Sequence, residues 1–224
     1  MQSKVKYFFL IPHEIKSPLL ELASSIGFSS NQFGFANTIV ELDKLYKNND
    51  KPEYLISFST SIIVPKKYIE LKNQISVNIH GGSPAYPGRD PHHYALYEGA
   101  QTYGATLHYM TEKVDAGKII DVELFAVADP LNALELLAQA DKCAWVLFER
   151  LLKWIISGKS FPISNYEWSP MKRKREDFEC FCRISYDIPE EELQKRIKAF
   201  HIKGFNNLFV ELRGRKFYFK NDDE

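Results

Sequence analysis

The sequence predicts an α/β fold: a Rossmann-like, open, mostly parallel sheet flanked by helices, followed by a short C-terminal α+β extension. Three observations carry this. Short apolar runs rich in β-branched and aromatic residues alternate with segments whose apolar residues recur at helical spacing, the β, α, β, α, β order of parallel strands joined by crossover helices. The 224 residues are enough for one sizeable core and do not require a second. Beyond Phe161 the texture turns polar and irregular, so a boundary is expected near residue 160, with a main domain over residues 1–160 and a small helix-plus-hairpin extension over 161–224.

Taken in order, VKYFFLIP (residues 5–12) is a compact apolar run suited to a strand buried on both faces. HEIKSPLLELASSIGF follows as a helix stopped by Gly27, and TIVELDKLYKNND as a second amphipathic helix. EYLISFS is the next strand, VPKKYIELKN a short helix, and ISVNIH a third strand. DPHHYALYEGA reads as a helix with Asp90 as N-cap and Pro91 as first helical residue. Two strands, GATLHYM and KIIDVELFAV, are separated by the turn-like TEKVDAG. The longest helix starts at Asp129-Pro130 and stops at Ser157-Gly158, with Leu134, Leu137, Trp145, Phe148, Leu152 and Ile155 near one core-facing stripe. In the extension, IPEEELQKRIKAF is helical, NLFVELRGRKFYFK closes as a hairpin around Gly214, and Cys180-Phe181-Cys182 reads as strand filler.

Lys+Arg and Asp+Glu balance at 29 each, which gives no global field to recruit nucleic acid or an anionic membrane. The three cysteines form no CxxC pair and read as reduced thiols. The N-terminal apolar run is broken by Pro12, His13 and Glu14 before it reaches signal-peptide or membrane-span length, so a cytoplasmic protein is expected.

The chemistry concentrates where ISVNIH breaks into GGSPAYPGRD. Asn78 and His80 alternate along a strand end, so their side chains share one face, and in open α/β sheets ligands bind outside the carboxyl ends of the strands. A lone imidazole has no fixed tautomer, and Asp115, in a loop ahead of Ala116-Gly117, is the candidate carboxylate. In isolation, Asn78 would be a turn cap, His80 a satisfied core histidine and Asp115 an ordinary turn residue. The adjacent His92 and His93 on a helix point in different directions and, with His108, read as structural rather than metal-binding. The run Lys172 to Arg175 reads as a solvated loop because Glu176 and Asp177 follow at once.

NIH, then YPG, then YGATLHYMTEKVDAGKII together resemble the folate-dependent formyltransferase family, over roughly residues 53–127. That family includes glycinamide ribonucleotide, methionyl-tRNA and sugar N-formyltransferases. The resemblance makes residues 1–160 the catalytic domain and implies 10-formyltetrahydrofolate as formyl donor. Asn78 and His80 would then donate to the oxygen of the tetrahedral intermediate, while Asp115 orients the imidazole and favours its charged form. The attacking amine's proton would leave through His80 or a water held by Asp115. The donor's ring would sit between two loops, Ser61, Ile62, Ile63 and Val64 before the catalytic strand and Met110, Thr111 and Glu112 after it, with the apolar residues as walls.

The family loop after the histidine reads PSLLPKYRG, whereas this chain has GGSPAYPG, one residue shorter and without the Leu-Leu pair, which implies a branch with its own acceptor. By elimination the acceptor is a small amine, a nucleotide-linked amino sugar, closest in kind to the sugar N-formyltransferases. Methionyl-tRNA or glycinamide ribonucleotide transfer, formyltetrahydrofolate hydrolysis and a non-catalytic folate- or nucleotide-binding module stand as alternatives. Neutral charge argues against nucleic acid, no membrane role is expected, and a hairpin at residues 208–219 could serve a homodimer.

Overall fold

The computed structural model describes residues 5–128 and 132–220. In chain order the elements are β1 (Tyr7–Leu10), a 3-10 turn (His13–Ile15), α1 (Lys16–Ile26), β2 (Phe33–Ala36), α2 (Ile39–Asn48), β3 (Tyr54–Phe58), α3 (Lys66–Ile69) and β4 (Ile75–His80). Then come α4 (Pro91–Tyr97), β5 (Thr102–Tyr109), β6 (Ile119–Ala126), α5 (Ala133–Ser157), α6 (Arg175–Cys182), α7 (Glu190–Phe200), β7 (Phe209–Leu212) and β8 (Arg215–Tyr218). The main sheet has six strands in the order β2-β1-β3-β4-β5-β6, parallel from β2 to β4 and antiparallel through β5 and β6. It is the mostly parallel, Rossmann-like sheet the sequence predicts.

β1 is buried on both faces. Tyr7 and Phe9 turn into the larger core with α1 and α5, and Phe8 and Leu10 into a second core with α2 and α3. This is the period-two division of a strand in the middle of a three-layer stack. α1 ends as expected at Gly27, whose φ of 111° is cheap only for glycine.

Several local expectations are corrected. β2 was not foreseen: it is four residues long and contains Gly34, where a Cβ would crowd Phe8 and Leu45 at 3.1 Å. α4 begins after Asp90 as predicted, but Asp90 has φ 51° and makes no cap; its carboxylate accepts instead from Arg89 Nε. The predicted start of the long helix, Asp129-Pro130, lies outside the described residues. The cap that is described is Asn132, whose side chain accepts from Glu135 N while Glu135 returns the bond. Leu134 is 48% exposed and lies off the core stripe; Phe148, Leu152 and Ile155 are buried on it as expected, and Leu136, Ala140, Leu147 and Leu151 join them. Cys180 and Cys182 sit on α6 and not on a strand.

The C-terminal elements pack on α4. Phe200 and Ala199 from α7, Cys182 from α6 and Leu208-Phe209 bury Tyr94. His92 and His93 do not diverge: both are buried, with ring centroids 4.3 Å apart, and His93 contacts Ala199 O through Nδ1 at 2.6 Å. Lys172 to Arg175 is more than a solvated loop. Arg173 pairs with Glu98 at 2.8 Å and lies over the Tyr94 ring. The predicted hairpin forms as β7 and β8 around Arg213-Gly214, both at positive φ, and leaves Leu212, Phe217 and Tyr218 exposed. Among the described residues no helix is long and apolar enough to cross a membrane.

Candidate functional site

β4 lies where the sheet changes direction, with parallel β3 on one side and antiparallel β5 on the other. On β4, Val77 and Ile79 face the larger core; on β5, Ala105 and Leu107 do the same. The alternate positions Asn78, His80, Thr106 and His108 therefore share the opposite face. The register sets Asn78 opposite His108 and His80 opposite Thr106, and the pairing of β5 with β6 shifts at the Leu107–His108 step, where Ile120 is the extra residue on β6.

The structure brings the three predicted residues together and adds a fourth. Asp115, buried, accepts a hydrogen bond from Gly88 N at 2.9 Å. Its two oxygens lie 3.6 Å from His80 Nδ1 and 3.5 Å from His108 Nε2. These last separations exceed a made hydrogen bond and become charge contacts when an imidazole is protonated. Asn78 Nδ2 lies 3.1 Å from His108 Nε2. His108 Nδ1 faces Tyr109 O at 2.9 Å, so in the neutral ring Nδ1 donates and Nε2 is left to accept from the Asn78 amide. His108, read from sequence as structural, is thus the bridge between Asn78 and Asp115. Asp115 has φ 43°, a left-handed turn that costs about 1 kcal/mol for a residue with a Cβ and that Asp tolerates better than most.

The electrostatics divide cleanly. Burial alone would push the Asp115 carboxyl up, but His80, His108 and the Gly88 N–H outweigh it and hold the group down at about 2. His80 moves down as well: burial dominates, Asp115 and the Tyr86 carbonyl oppose it, and His108 and Lys172 add to it. Near neutral pH Asp115 is therefore ionised and His80 neutral. Asp115 favours the charged imidazole, as expected, but desolvation outweighs it. His80 Nε2 lies 3.1 Å from Tyr86 O, so its donor is used within the short loop that follows β4. That loop is tied down by Thr106 Oγ1 to Gly82 O at 2.8 Å and by Tyr103 OH to Gly81 O at 3.1 Å.

The two loops assigned to the donor's ring lie side by side. Ile62, Val64 and Met110 share the apolar cluster over β1 and β3, and Lys66 on α3 joins Glu112 across the gap at 3.0 Å. Val64 is buried within that cluster, so the exposed wall is Ile63, 68% accessible, with the half-buried Ile62 and Met110 behind it. Ser61 and Thr111 are exposed at the edges of the two loops, and Thr111 Oγ1 donates to Lys113 O. Trp168, from the irregular segment after α5, was not foreseen: its ring meets both His80 and His108 edge to face.

Comparison with known proteins agrees with this architecture. A methionyl-tRNA formyltransferase of Listeria monocytogenes is 28% identical over 151 residues, 67% of this chain and 46% of that protein. One from Geobacillus thermodenitrificans is 25% identical over 155 residues, covering 67% and 47%. The chain thus spans about half the length of the curated relatives it matches. Among solved structures, a 4-N formyltransferase from Francisella tularensis superposes with a TM-score of 0.71 at 21% identity over 97% of both chains. A sugar N-formyltransferase from a Shewanella species gives 0.74 at 17% identity over 96% of both. At these identities the structures share the fold. Residues 27–142, just over half of the chain and including β4, β5 and the Asp115 loop, match the formyl transferase family, and the chain belongs to that family.

Proposed function

We propose that this chain is an N-formyltransferase that moves a formyl group from 10-formyltetrahydrofolate to the amine of a small acceptor, a nucleotide-linked amino sugar. The observation that carries the reading is the convergence of an amide, two imidazoles and an ionised carboxylate on one face of β4 and β5. The donor supplies an acyl carbon already activated for attack by nitrogen. Asn78 and His80 would place N–H groups against the oxygen that becomes negative as the amine attacks, a contribution typically worth about a hundredfold to a thousandfold per donor. His80 Nε2 would exchange the Tyr86 carbonyl for that oxygen. Because Asp115 is ionised at rest, the proton leaving the amine can enter the imidazole–carboxylate cluster, where Asp115 offsets the positive charge, and would pass on to N10 as the bond between the formyl carbon and N10 breaks and tetrahydrofolate leaves. Ile63, with Ile62 and Met110, forms the apolar lip against which a flat ring would pack, and Ser61, Val64, Thr111 and Glu112 complete the two loops that frame it.

The amino-sugar acceptor is supported by the match of sugar N-formyltransferase structures along nearly the whole of this chain. A structure from Helicobacter canadensis described as a complex with folinic acid and dTDP-3-aminofucose covers 95% of it. A second reading, with a methionyl-tRNA acceptor, is favoured by the curated relatives. The exposed Leu212, Phe217 and Tyr218 are the apolar face that a second copy would cover in a homodimer. The deciding experiment offers the purified protein 10-formyltetrahydrofolate with a panel of amino-sugar nucleotides and with charged methionyl-tRNA, and follows by mass the gain of one formyl group. Formylation of an amino sugar supports the first reading. Formylation of the tRNA alone selects the second, and release of formate without any amine would mean a hydrolase.

A further inference from the structure

We propose that Trp168 is a positioning residue for the catalytic cluster: its indole fixes the loop that carries Asp115 and walls both imidazoles from water. Residues 164–173 run across two loops that arrive from different strands and tie them together. Ser164 N donates to Ile119 O, and Trp168 Nε1 donates to Gly117 O at 2.8 Å on the Asp115 loop. Ser169 N donates to Pro84 O and Arg173 N to Pro87 O on the loop after β4, and Arg89 N donates back to Arg173 O. One of these loops supplies Asp115 and the other supplies the Gly88 N–H that binds it.

The fit leaves little slack. A Cβ on Gly117 would lie 1.7 Å from Tyr109 O, and one on Gly88 would lie 2.2 Å from Arg173 O. Both loop backbones are therefore pressed against their neighbours, and the Gly117 carbonyl is met by the indole N–H. The Trp168 ring stands 5.1 Å from His108 at 89° and 5.8 Å from His80 at 66°.

The competing explanation is that Trp168 fills a core. Against it, Trp168 belongs to none of the four apolar clusters, and its aromatic neighbours are the two imidazoles. A half-buried indole placed in this way removes water from one side of each histidine while its N–H holds the adjoining loop.

The kinetic part of this inference rests on the formyl-transfer reading; the titration part does not. In ¹⁵N-labelled protein without substrates, the His80 imidazole is followed by NMR across pH in wild type, Trp168→Ala and Trp168→Phe. The charged groups facing His80 are Asp115, His108 and Lys172, and all are present in each variant. Trp168→Ala should move the His80 midpoint up toward 6.5 as water reaches the ring, whereas Trp168→Phe, which keeps a ring, should leave it near wild type. With an acceptor in hand, Trp168→Ala should lower kcat about tenfold to a hundredfold with KM for the formyl donor unchanged. Trp168→Phe, which loses the N–H to Gly117 O and part of the indole ring, should lower kcat about fivefold.

An unmoved His80 midpoint in Trp168→Ala would overturn the inference. If that variant does not fold, an unchanged kcat in Trp168→Phe overturns it instead. Should wild type formylate nothing, the functional reading fails, and the titration alone decides the role of Trp168.

Discussion

Replacing Asp115 by Asn keeps the size and the acceptor for the Gly88 N–H but removes the charge, so its effect on folding can be worked from the site itself. The carboxyl is held at about 2 against an ordinary 3.8, and its side chain is only 4% exposed, so solvent screening discounts little. Nearly two units at about 1.4 kcal/mol each make the ionised form worth about 2–3 kcal/mol to the folded state at neutral pH. The folded value is depressed, so this stability is fully present above the unfolded value and is lost as pH falls through the folded one; at pH 3 about half remains. Urea denaturation of wild type and Asp115→Asn at pH 7, 5 and 3 measures the difference directly. The expected gap is about 2–3 kcal/mol at pH 7 and 5, narrowing at pH 3. A gap that stayed constant down to pH 3, or an Asn variant more stable than wild type at pH 7, would refute the claim that His80, His108 and Gly88 hold a buried carboxylate ionised.

Asn78→Ala and His80→Ala should each lower kcat for formyl transfer by about a hundredfold to a thousandfold; Asn78→Ala should leave the unfolding midpoint nearly unchanged, whereas His80→Ala should also lower it because buried Asp115 loses a stabilising neighbour, checked by steady-state kinetics beside thermal melts. His108→Ala should cost about a hundredfold in kcat although a direct contact with substrate is not required of it, because both Asn78 and Asp115 lose a partner; equal rates in variant and wild type would remove it from the site. Gly88→Ala should destabilise by more than about 2 kcal/mol, since its Cβ meets the Arg173 carbonyl at φ +103°. Gly99→Ala, at φ +68° with open space around it, should cost only about 1 kcal/mol of backbone strain, and paired denaturation curves compare them. His92 is pushed down to about 3 by burial, with His93 adding to it, and its Nδ1 has no hydrogen-bond partner. The unfolded chain binds its proton first, so stability should rise with pH from about 3 to 6.5, with about 3 kcal/mol already lost at pH 4. His92→Leu should flatten that slope in denaturation series across this range.

The legible parts of the fold are those that one segment decides by itself. The run around Phe8 and Phe9 reads as a two-face strand because four consecutive residues, Phe8 to Ile11, are apolar, and Gly27 reads as a helix stop because the chain must turn left-handed there. Segments whose outcome depends on a neighbour were missed. Phe33–Ala36 looks too short and too glycine-rich for a strand, yet Gly34 is what lets it lie against Phe8 and Leu45. The alternation of Phe and Cys near residue 181 suggests a strand, but Phe178 and Cys182, one helical turn apart, meet a core provided by α4, α7 and Leu208-Phe209.

The same distinction divides the site. Asn78 and His80 could be found because they alternate on a single strand, and Asp115 because it follows in a recognisable pattern. His108 is equally central, but it is set among apolar residues of β5, and its role exists only once the register places it opposite Asn78. A shift of one residue in that pairing would turn His108 into the larger core and Leu107 toward Asp115. What fixes the pairing is the apolar face: Val77, Ile79, Ala105 and Leu107 must all point at α5, and that requirement alone sends the four polar side chains to the other side. The hydrophobic core therefore does more than support the site, because its demand for consistent alternation on two strands is what assembles the amide, the imidazoles and the carboxylate in one place. A substitution in the core that allowed the strands to slip would be expected to abolish the chemistry without touching any polar residue.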